Sequence, residues 1–289
     1  MKIRPLFILS IISTSLALAA DLPATGAKFP QWDGSEAIAT YAKRAGLEPV
    51  LTLDLGGNVK WEGVLIPAGT LVMGSPAGEA KTPVESAMEK QHKVTFTQPF
   101  YMGKLELTQA QYQKVAGDNP STTKGDDLPV HNVTWQNAQD FCEKMSKQTG
   151  RDVQLPTEAQ WEFACRAGTT TPYYNGSQIT DLDKIAWYNG NSGGKVHSGG
   201  QKLPNAWGLY DMLGNIREFV RDLYAAAPLE DGTDPTGPKE GDPKNHGVRG
   251  AAYTANAAGA LNARSATRRP TEGLGNTGFR IIVGVSQSR

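Results

Sequence analysis

The chain has 289 residues, which is enough for one large domain with an appendage or for two small domains. Lys plus Arg and Asp plus Glu each number 29, so the formal net charge is zero, and the lack of a basic stripe argues against a nucleic-acid-binding protein. The 32 glycines and 18 prolines indicate a loop-rich globular protein rather than a helical bundle.

The first twenty residues have the pattern of a secretory signal peptide. Lys2 and Arg4 form a short positive region, and a largely apolar stretch follows at positions 6–18. Ala17-Leu18-Ala19 fits the small-x-small pattern that precedes cleavage. The apolar stretch is shorter than the ~20 residues of a membrane-spanning helix, so we expect an exported protein, periplasmic or secreted, with no membrane attachment after cleavage. The predicted organisation is a signal peptide (1–20), an N-terminal leader (21–60) and a main domain (61–289).

Short strands dominate the next part of the chain. A helix is predicted over Ser35 to Arg44. Val50 to Leu55 and Val59 to Ile66 alternate in polarity around a Gly-Gly-Asn turn, which predicts a β-hairpin. Thr70 to Met73 is predicted as the next strand, and Gln91 to Met102 as another pair of strands.

Three helices are predicted from their N-terminal caps. Thr108, Thr134 and Thr157 each precede a segment with apolar residues at helical spacing, and a threonine hydroxyl there accepts a backbone N–H. A glutamine three residues after the first and third threonines completes a capping box. No helix is predicted after these, so the fold class is α+β, with two or three helices on a small sheet and long loops. Glycines should end the three helices, at Gly117, Gly150 and Gly168.

Only two cysteines are present, Cys142 and Cys165. An oxidising compartment would allow them to form a disulfide, but both could equally be buried free thiols. The histidines form no i, i+4 or H-x-H pair, so no local zinc or iron site is indicated. His131 is interpreted as a loop residue and His246 as a surface-loop residue, with a catalytic or ligand role for His246 as the alternative.

Six phrases of the sequence occur in a fixed order over about three quarters of the chain. They are LIPAGTLVMGSP (65–76), LELTQAQYQ (105–113), LPVHNVTWQNAQDFC (128–142), LPTEAQWEFACRAGT (155–169), NAWGLYDMLGNIREFVRD (205–222) and NTGFR (276–280). In this order and spacing the chain resembles the formylglycine-generating-enzyme (sulfatase-modifying-factor) family. The resemblance implies a variant of the C-type-lectin fold, with few regular elements, long loops and bound calcium.

The resemblance fails at the residues that carry the family's oxidase chemistry. Its oxidases convert a cysteine of a client sulfatase to formylglycine, using copper(I) held by two C-terminal cysteine thiolates. By spacing from the turn at Arg249 to Tyr253, those ligands fall on Ala255 and Ala260, and no cysteine occurs downstream. Ala252 replaces a serine beside the oxygen pocket, and Arg217 replaces a tryptophan that is usual in the family. Copper is therefore not expected, nor is copper-dependent formylglycine formation.

The resemblance also implies a structural calcium site in the phrase that ends at Asp222. The family's ligands match the side chains of Asp211 and Glu218 and the backbone carbonyls of Gly214 and Ile216, which are hard oxygen donors suited to calcium. The alternative is that Glu218 pairs with an arginine and Asp211 caps a turn. A second family calcium site near residues 187–194 lacks a clear acidic ligand and is left unassigned.

Four arginines near the C-terminus could form an anion site or could hold loops by binding carboxylates. Arginines at these positions are common in the scaffold of the resembled family, so a structural role is expected. They are Arg264, Arg268, Arg269 and Arg280.

Three functions compete. The favoured one is a non-catalytic binding or scaffold module for an exported peptide or protein or for a carbohydrate, because the donor atoms at the copper positions are lost. The second is an oxidoreductase that uses other residues or a recruited cofactor, as in the family's siderophore-maturing branch, with a polar pocket near Tyr253, Asn256, Asn262 and His246. The third is a true formylglycine generator.

Overall fold

The computed structural model describes residues 27–76, 89–224, 230–256, 267–270 and 275–287, and the predicted signal peptide lies outside them. This part of the chain is α+β, as predicted. Its helices are α1 (Ile38–Ala45), α2 (Gln109–Ala116), α3 (Trp135–Thr149), α4 (Glu158–Arg166) and α5 (Ile179–Leu182). Its strands are β1 (Val50–Gly56), β2 (Val59–Ile66), β3 (Gly69–Met73), β4 (His92–Phe96), β5 (Phe100–Gly103), β6 (Arg151–Gln154), β7 (Arg217–Leu223), β8 (Gly232–Thr233), β9 (Asn245–Arg249), β10 (Thr267–Pro270), β11 (Thr277–Gly278) and β12 (Ile282–Gln287).

The strands form three small sheets. The largest has the order β1-β2-β5-β12-β6, so a strand from the end of the chain lies in its interior. A second sheet has the order β10-β9-β7-β11, and a third has the order β3-β4-β8. Most pairs are antiparallel, and β11–β7 and β4–β8 are parallel. In the second sheet, β9 ends at Arg249, where the turn that resembles the family's active-site turn begins.

The hairpin prediction is confirmed, because β1 and β2 pair antiparallel from Val50 opposite Val64 to Gly56 opposite Val59. The predicted pairing within Gln91 to Met102 is wrong. Two strands form there, but β4 joins β3 and β8 whereas β5 joins β2 and β12. The link between them contains Pro99, which has no N–H, and Asp234 accepts the Thr97 N–H at 2.8 Å. The link therefore crosses between sheets instead of turning back.

All three predicted caps are present. Each threonine hydroxyl accepts the backbone N–H of the residue three positions later. The side-chain oxygen of that residue in turn accepts the backbone N–H of the threonine. Helix α1 begins at Ile38, later than predicted, because Asp33 Oδ1 accepts the N–H groups of Ser35 and Glu36 and holds a turn there. Helix α5 was not predicted, since four residues are too few to show helical spacing. Helix α4 ends at Arg166, two residues before Gly168.

Helix α3 covers the outer edge of β6. Ser146 Oγ accepts a hydrogen bond from the Val153 N–H at 3.1 Å and lies 3.2 Å from the Val153 carbonyl oxygen. These backbone groups would otherwise be open to another strand, so the sheet edge is protected at this point.

Cys142 and Cys165 are both buried free thiols, which is one of the two alternatives that the sequence left open. Burial raises the pKa of both thiols well above the usual range. Because the thiolate is the reactive and metal-binding form, neither cysteine has the character of a nucleophile or metal ligand. In the described residues, no helix has the length and apolar content needed to cross a membrane.

Candidate functional site

The last residue of β9 and those that follow it form a turn, Arg249–Asn256, which we call the site turn. Gly250 has φ +67°, a left-handed conformation that lets the chain leave the strand. The Ala255 N–H bonds to the Ala252 carbonyl at 2.8 Å, which closes the turn. Loop residues hold it from outside, because Ser192 Oγ donates to the Tyr253 carbonyl at 2.9 Å and the Asn189 N–H donates to the Ala255 carbonyl at 3.0 Å.

The side chains of the site turn divide into buried methyl groups and exposed polar groups. Ala252 is fully buried and Ala255 is 8% exposed, while Thr254 and Asn256 are exposed and Tyr253 is half-buried. Ala255, the first position matched to a copper ligand, therefore presents a methyl group where a thiolate is needed. Ala260, the second position, lies outside the described residues.

Asn215 fixes the site turn to the rest of the molecule. It is fully buried with φ +59°, and its carbonyl accepts the Tyr253 N–H at 2.7 Å. Its side-chain amide donates to Glu106 Oε2 at 2.6 Å and to the His197 carbonyl at 3.0 Å. Its backbone N–H donates to the Trp187 carbonyl at 2.9 Å. One asparagine thus joins the turn, the 187–197 loop and a buried carboxylate, which makes the surface rigid.

Beneath the turn lies a buried group of charges that we call the acid cluster: Glu106, Asp211, Glu218 and Arg280. Arg280 holds Glu218 with two hydrogen bonds of 2.7 Å, and Trp161 Nε1 donates to the same carboxylate at 2.7 Å. Burial, followed by the charges of Asp211 and Glu218, raises the pKa of Glu106 well above its ordinary value. Three carboxylates therefore share one guanidinium, and the cluster has excess negative charge when all of them are ionised.

Two of the predicted calcium residues, Asp211 and Glu218, belong to this cluster and interact through their charges. Asp211 Oδ2 accepts the Gly200 N–H at 2.7 Å, while Oδ1 is buried without a hydrogen-bond partner among the described residues. Glu218 bonds to Arg280 through both oxygens, so it pairs with an arginine as in the alternative considered above. Within the residues that the structure describes, its Oε1 accepts only this one bond and therefore retains a lone pair. Gly214 lies against the Trp187 backbone, and the Ile216 N–H donates to Glu106 Oε1 at 3.0 Å.

This donor set fits a hard cation only with help from the backbone. In the described part of the chain, no three His, Cys, Asp or Glu side chains are placed to hold a metal ion. Carbonyl oxygens such as those of Gly214 and Ile216 would have to complete the coordination. Burial raises the pKa of Asp211 as well as that of Glu106, and Asp211 Oδ1 remains without a hydrogen-bond partner among the described residues.

Two residues of this site were not identified from the sequence, Glu106 and Asn215. The signal for Glu106 was present, because a single acid lies between two leucines, Leu105 and Leu107. Nothing local distinguishes Asn215, whose role depends on partners distant in sequence.

A second buried network connects the site turn to helix α4. Arg249 approaches Glu162 at 3.1 Å and Glu158 at 3.4 Å, and Glu162 also binds Arg166 at 2.6 Å. Trp161, on the same helix, reaches the acid cluster through Glu218. Helix α4 therefore supports the start of the turn and the cluster beneath it.

Asp222 completes this network and should make stability depend on pH. Its Oδ2 accepts the Glu158 N–H at 2.9 Å. Burial, reinforced by the Glu158 carboxylate, raises the pKa of Asp222 to about 7. The folded state then holds a proton that the unfolded state, with a pKa of about 3.9, releases. Stability from this group is therefore full below about pH 4 and is lost as the pH rises through about 7.

Asp222→Asn should remove this dependence, because asparagine keeps an acceptor for the Glu158 N–H and cannot ionise. We expect wild-type stability to fall relative to the variant by on the order of 2 kcal/mol between pH 5 and pH 8. Urea unfolding of both proteins at the two pH values measures the difference. Parallel pH profiles for the two proteins would contradict the assignment.

A polar pocket was predicted around Tyr253 and His246, but these two residues have different contact partners. His246 is a buried residue of β9, not a surface-loop residue: its ring stacks on Trp135 at 3.6 Å, and Nδ1 donates to the Arg221 carbonyl at 3.1 Å. Tyr253 instead contacts Ser192 and the buried asparagine described above. Burial lowers the pKa of His246, so the ring favours its neutral form. Asn262 lies outside the described residues.

The contacts of His131, Arg217 and Arg280 can be compared with the roles predicted for them. His131 is buried, with Nε2 within 3.2 Å of Thr122 Oγ1, so it is a structural loop residue. Arg217, which replaces the family's tryptophan, donates to Asn276 Oδ1 at 2.8 Å. Arg280 has the predicted structural role. The side chains of the other three clustered arginines lie outside the described residues.

Comparison with known proteins supports the sequence resemblance. Residues 57–285 match the sequence model of the sulfatase-modifying factor enzyme 1-like domain. The chain is 32% identical over 198 residues to chaperone protein LppX of Paenibacillus barcinonensis, covering 51% of this chain and 70% of that protein. It is 26% identical to mouse formylglycine-generating enzyme, covering 65% of this chain and 52% of the enzyme. It is 27% identical to bovine inactive C-alpha-formylglycine-generating enzyme 2, covering 69% and 64%.

Solved structures share the fold. Treponema denticola variable protein 1 superposes with a TM-score of 0.73 at 24% identity, covering 82% of this chain and 99% of that one. PvdO from Pseudomonas aeruginosa superposes with a TM-score of 0.67 at 22% identity, with the same coverage. The predicted C-type-lectin-like α+β fold is confirmed by these likenesses, which at such identities concern the fold alone.

Proposed function

The chain belongs to the sulfatase-modifying factor enzyme 1-like domain family, and from this premise we propose that it is an exported binding or scaffold module for a peptide or carbohydrate partner. It spans about half of the mouse enzyme, so nothing of that enzyme's activity transfers directly. The proposal rests on the chemistry of the site turn and of the two cysteines.

One observation carries the proposal: the site turn has a methyl group where the family's oxidases need a sulfur ligand. Ala255 is nearly buried, and the Asn189 N–H binds its carbonyl, so the position is a packed part of the turn. Both thiols of the chain are buried elsewhere, on α3 and α4. Soft copper(I) requires thiolate or similar donors, and neither alanine nor a buried protonated thiol supplies one.

The remaining surface of the turn suits binding. Tyr253, Thr254 and Asn256 present a ring, a hydroxyl and an amide, which are groups common in binding loops. Ser192 Oγ donates to the Tyr253 carbonyl and the Asn215 carbonyl accepts the Tyr253 N–H, so the backbone is held in place and less ordering accompanies association. Polar groups on a fixed loop favour a hydrogen-bonding partner such as an extended peptide or a sugar.

The names of two relatives agree with this proposal. One is called a chaperone protein, and another is called an inactive C-alpha-formylglycine-generating enzyme. A family member without formylglycine chemistry is thus not exceptional.

Two assays test the proposal on the full chain. A cysteine-containing sulfatase peptide, incubated with the protein, copper(I) and oxygen, should yield no aldehyde by mass spectrometry. Peptide and glycan arrays should identify a ligand whose binding is weakened by Tyr253→Ala and Asn256→Ala but not by Val72→Ala, an exposed change on β3. Aldehyde formation would overturn the proposal, and so would array binding that all three variants retain.

We further propose that the acid cluster holds a structural calcium ion through Asp211 Oδ1, Glu218 and the carbonyls of Gly214 and Ile216. The ion would offset the excess negative charge of the buried carboxylates. Calcium at about 100 times its Kd should stabilise the fold by about 2.7 kcal/mol.

Thermal unfolding in calcium and in a chelator measures this effect. Asp211→Asn should lose most of the calcium-dependent gain, whereas Asp140→Asn, an exposed change on α3, should keep it. An identical melting temperature in calcium and chelator would count against the site.

A further inference from the structure

A cavity of about 360 Å³ lies against the five-stranded sheet, and no described residue of the site turn or acid cluster lines it. Phe100, Ile282 and Val285 give it a buried apolar wall. Gly284 keeps the space beside them open, because a Cβ there would lie 3.3 Å from Asp152 Oδ2. This volume is in the range of small-molecule sites, and polar side chains line the rest of the cavity.

The polar side of the cavity is an acid and a guanidinium separated by an amide. Gln154 Nε2 donates to Asp152 Oδ1 at 2.7 Å, and Gln154 Oε1 accepts from Arg221 Nη1. The amide occupies one oxygen of the acid and one N–H of the guanidinium, so it keeps the two charges from pairing directly. Asp152 Oδ2 and the other four N–H groups of Arg221 have no hydrogen-bond partner among the described residues.

The cavity thus has a negatively charged hydrogen-bond acceptor, Asp152 Oδ2, and the positively charged N–H donors of Arg221, beside an apolar wall. An α-ammonium group matches Asp152 Oδ2, and an α-carboxylate matches the guanidinium fork of Arg221. Asp234 also lines the cavity, but both of its oxygens bond to Thr97, so it adds negative potential without a free acceptor geometry of its own. A ligand with only one of the two charges would leave the other partner unsatisfied.

We propose that this cavity binds a free α-amino acid with an apolar side chain, its carboxylate on Arg221, its ammonium group on Asp152 and its side chain against Phe100 and Ile282. The site is separate from the site turn. It therefore stands or fails independently of the binding function proposed above.

Isothermal titration of the full chain tests the proposal with L-leucine and L-phenylalanine as probes. At least one should bind, while leucinamide, which lacks the carboxylate, and N-acetyl-leucine, which lacks the ammonium group, should bind much more weakly. Loss of one charged hydrogen-bonding partner should lower affinity roughly ten- to a hundredfold in Asp152→Asn and in Arg221→Gln. Asp152→Asn keeps the acceptor for Gln154, so it removes the charge with little change to the packing.

Glu143→Gln is the matched control. Glu143 is exposed on α3 and lines an adjoining cavity of about 370 Å³, which Arg221 and Gln154 also border. Its substitution should leave amino-acid affinity unchanged. Absence of binding by both amino acids would overturn the proposal, as would equal binding of the two blocked derivatives or unchanged affinity in folded Asp152→Asn and Arg221→Gln proteins.

Discussion

Arg280→Met should destabilise the protein by about 3–5 kcal/mol, because it removes the only guanidinium of the acid cluster. Arg280 is fully buried and binds both oxygens of Glu218 at 2.7 Å. It also donates to the carbonyls of Gly103 and Tyr210. Methionine matches much of its volume but leaves a buried carboxylate uncompensated and two carbonyls without donors. Domains of this kind have a total stability of about 5–15 kcal/mol, so the change should be visible in urea unfolding.

Two further variants make this prediction specific. Lys104→Met breaks an ion pair with Glu62 of 3.3 Å, in which both side chains are at least 41% exposed, and should cost less than about 1 kcal/mol. Adding Glu218→Gln to Arg280→Met should recover part of the loss, since the unpaired charge disappears. Equal unfolding midpoints for Arg280→Met and Lys104→Met would refute the importance of the cluster.

Gly214→Ala should be the second severe change. Gly214 has φ +94°, and a Cβ there would lie 2.4 Å from the Trp187 carbonyl oxygen and 2.9 Å from its nitrogen. Both are backbone atoms, so no side-chain rotation can make room. Left-handed strain and overpacking together should cost roughly 3 kcal/mol or more. The loss should also appear in chelator, which separates the packing role of this glycine from any role of its carbonyl in calcium binding.

Gly150→Ala is the control for the backbone contribution. Gly150 also has a positive φ, +66°, but a Cβ there meets nothing within 4 Å. Only conformational strain remains, so the cost should be about 1 kcal/mol. If Gly214→Ala and Gly150→Ala had the same melting temperature, the close approach to Trp187 would not explain the need for Gly214.

The elements that the sequence predicts well are those with local determinants. The three threonine caps specify helix starts because the hydroxyl and its acceptor are within three residues of each other. The β1–β2 hairpin follows from a turn flanked by alternating residues. The partners of β4 and β5 depend instead on contacts far along the chain, such as Asp234 with Thr97, which no local pattern contains.

The candidate site shows the same division. The lack of a donor atom at Ala255 and Ala260 follows from residue identity alone, because alanine has no donor atom wherever it lies. Glu218 was identified, but its bidentate partner Arg280 is 62 residues away, and only the structure reveals the pair. His246 was expected in a surface loop, yet its ring stacks on the Trp135 ring, a partner 111 residues away in sequence.

The place of β12 within the largest sheet has a consequence for how the protein reaches its folded form. This strand lies between β5 and β6, and it pairs with both through its residues from Ile282 onward. During synthesis the sheet therefore lacks an inner strand until β12 has left the ribosome, long after β1, β2 and β5, and a fold with such distant pairings forms slowly. A nascent chain that stays open in this way is in the state that a secretion channel accepts, which suits the export proposed for this protein.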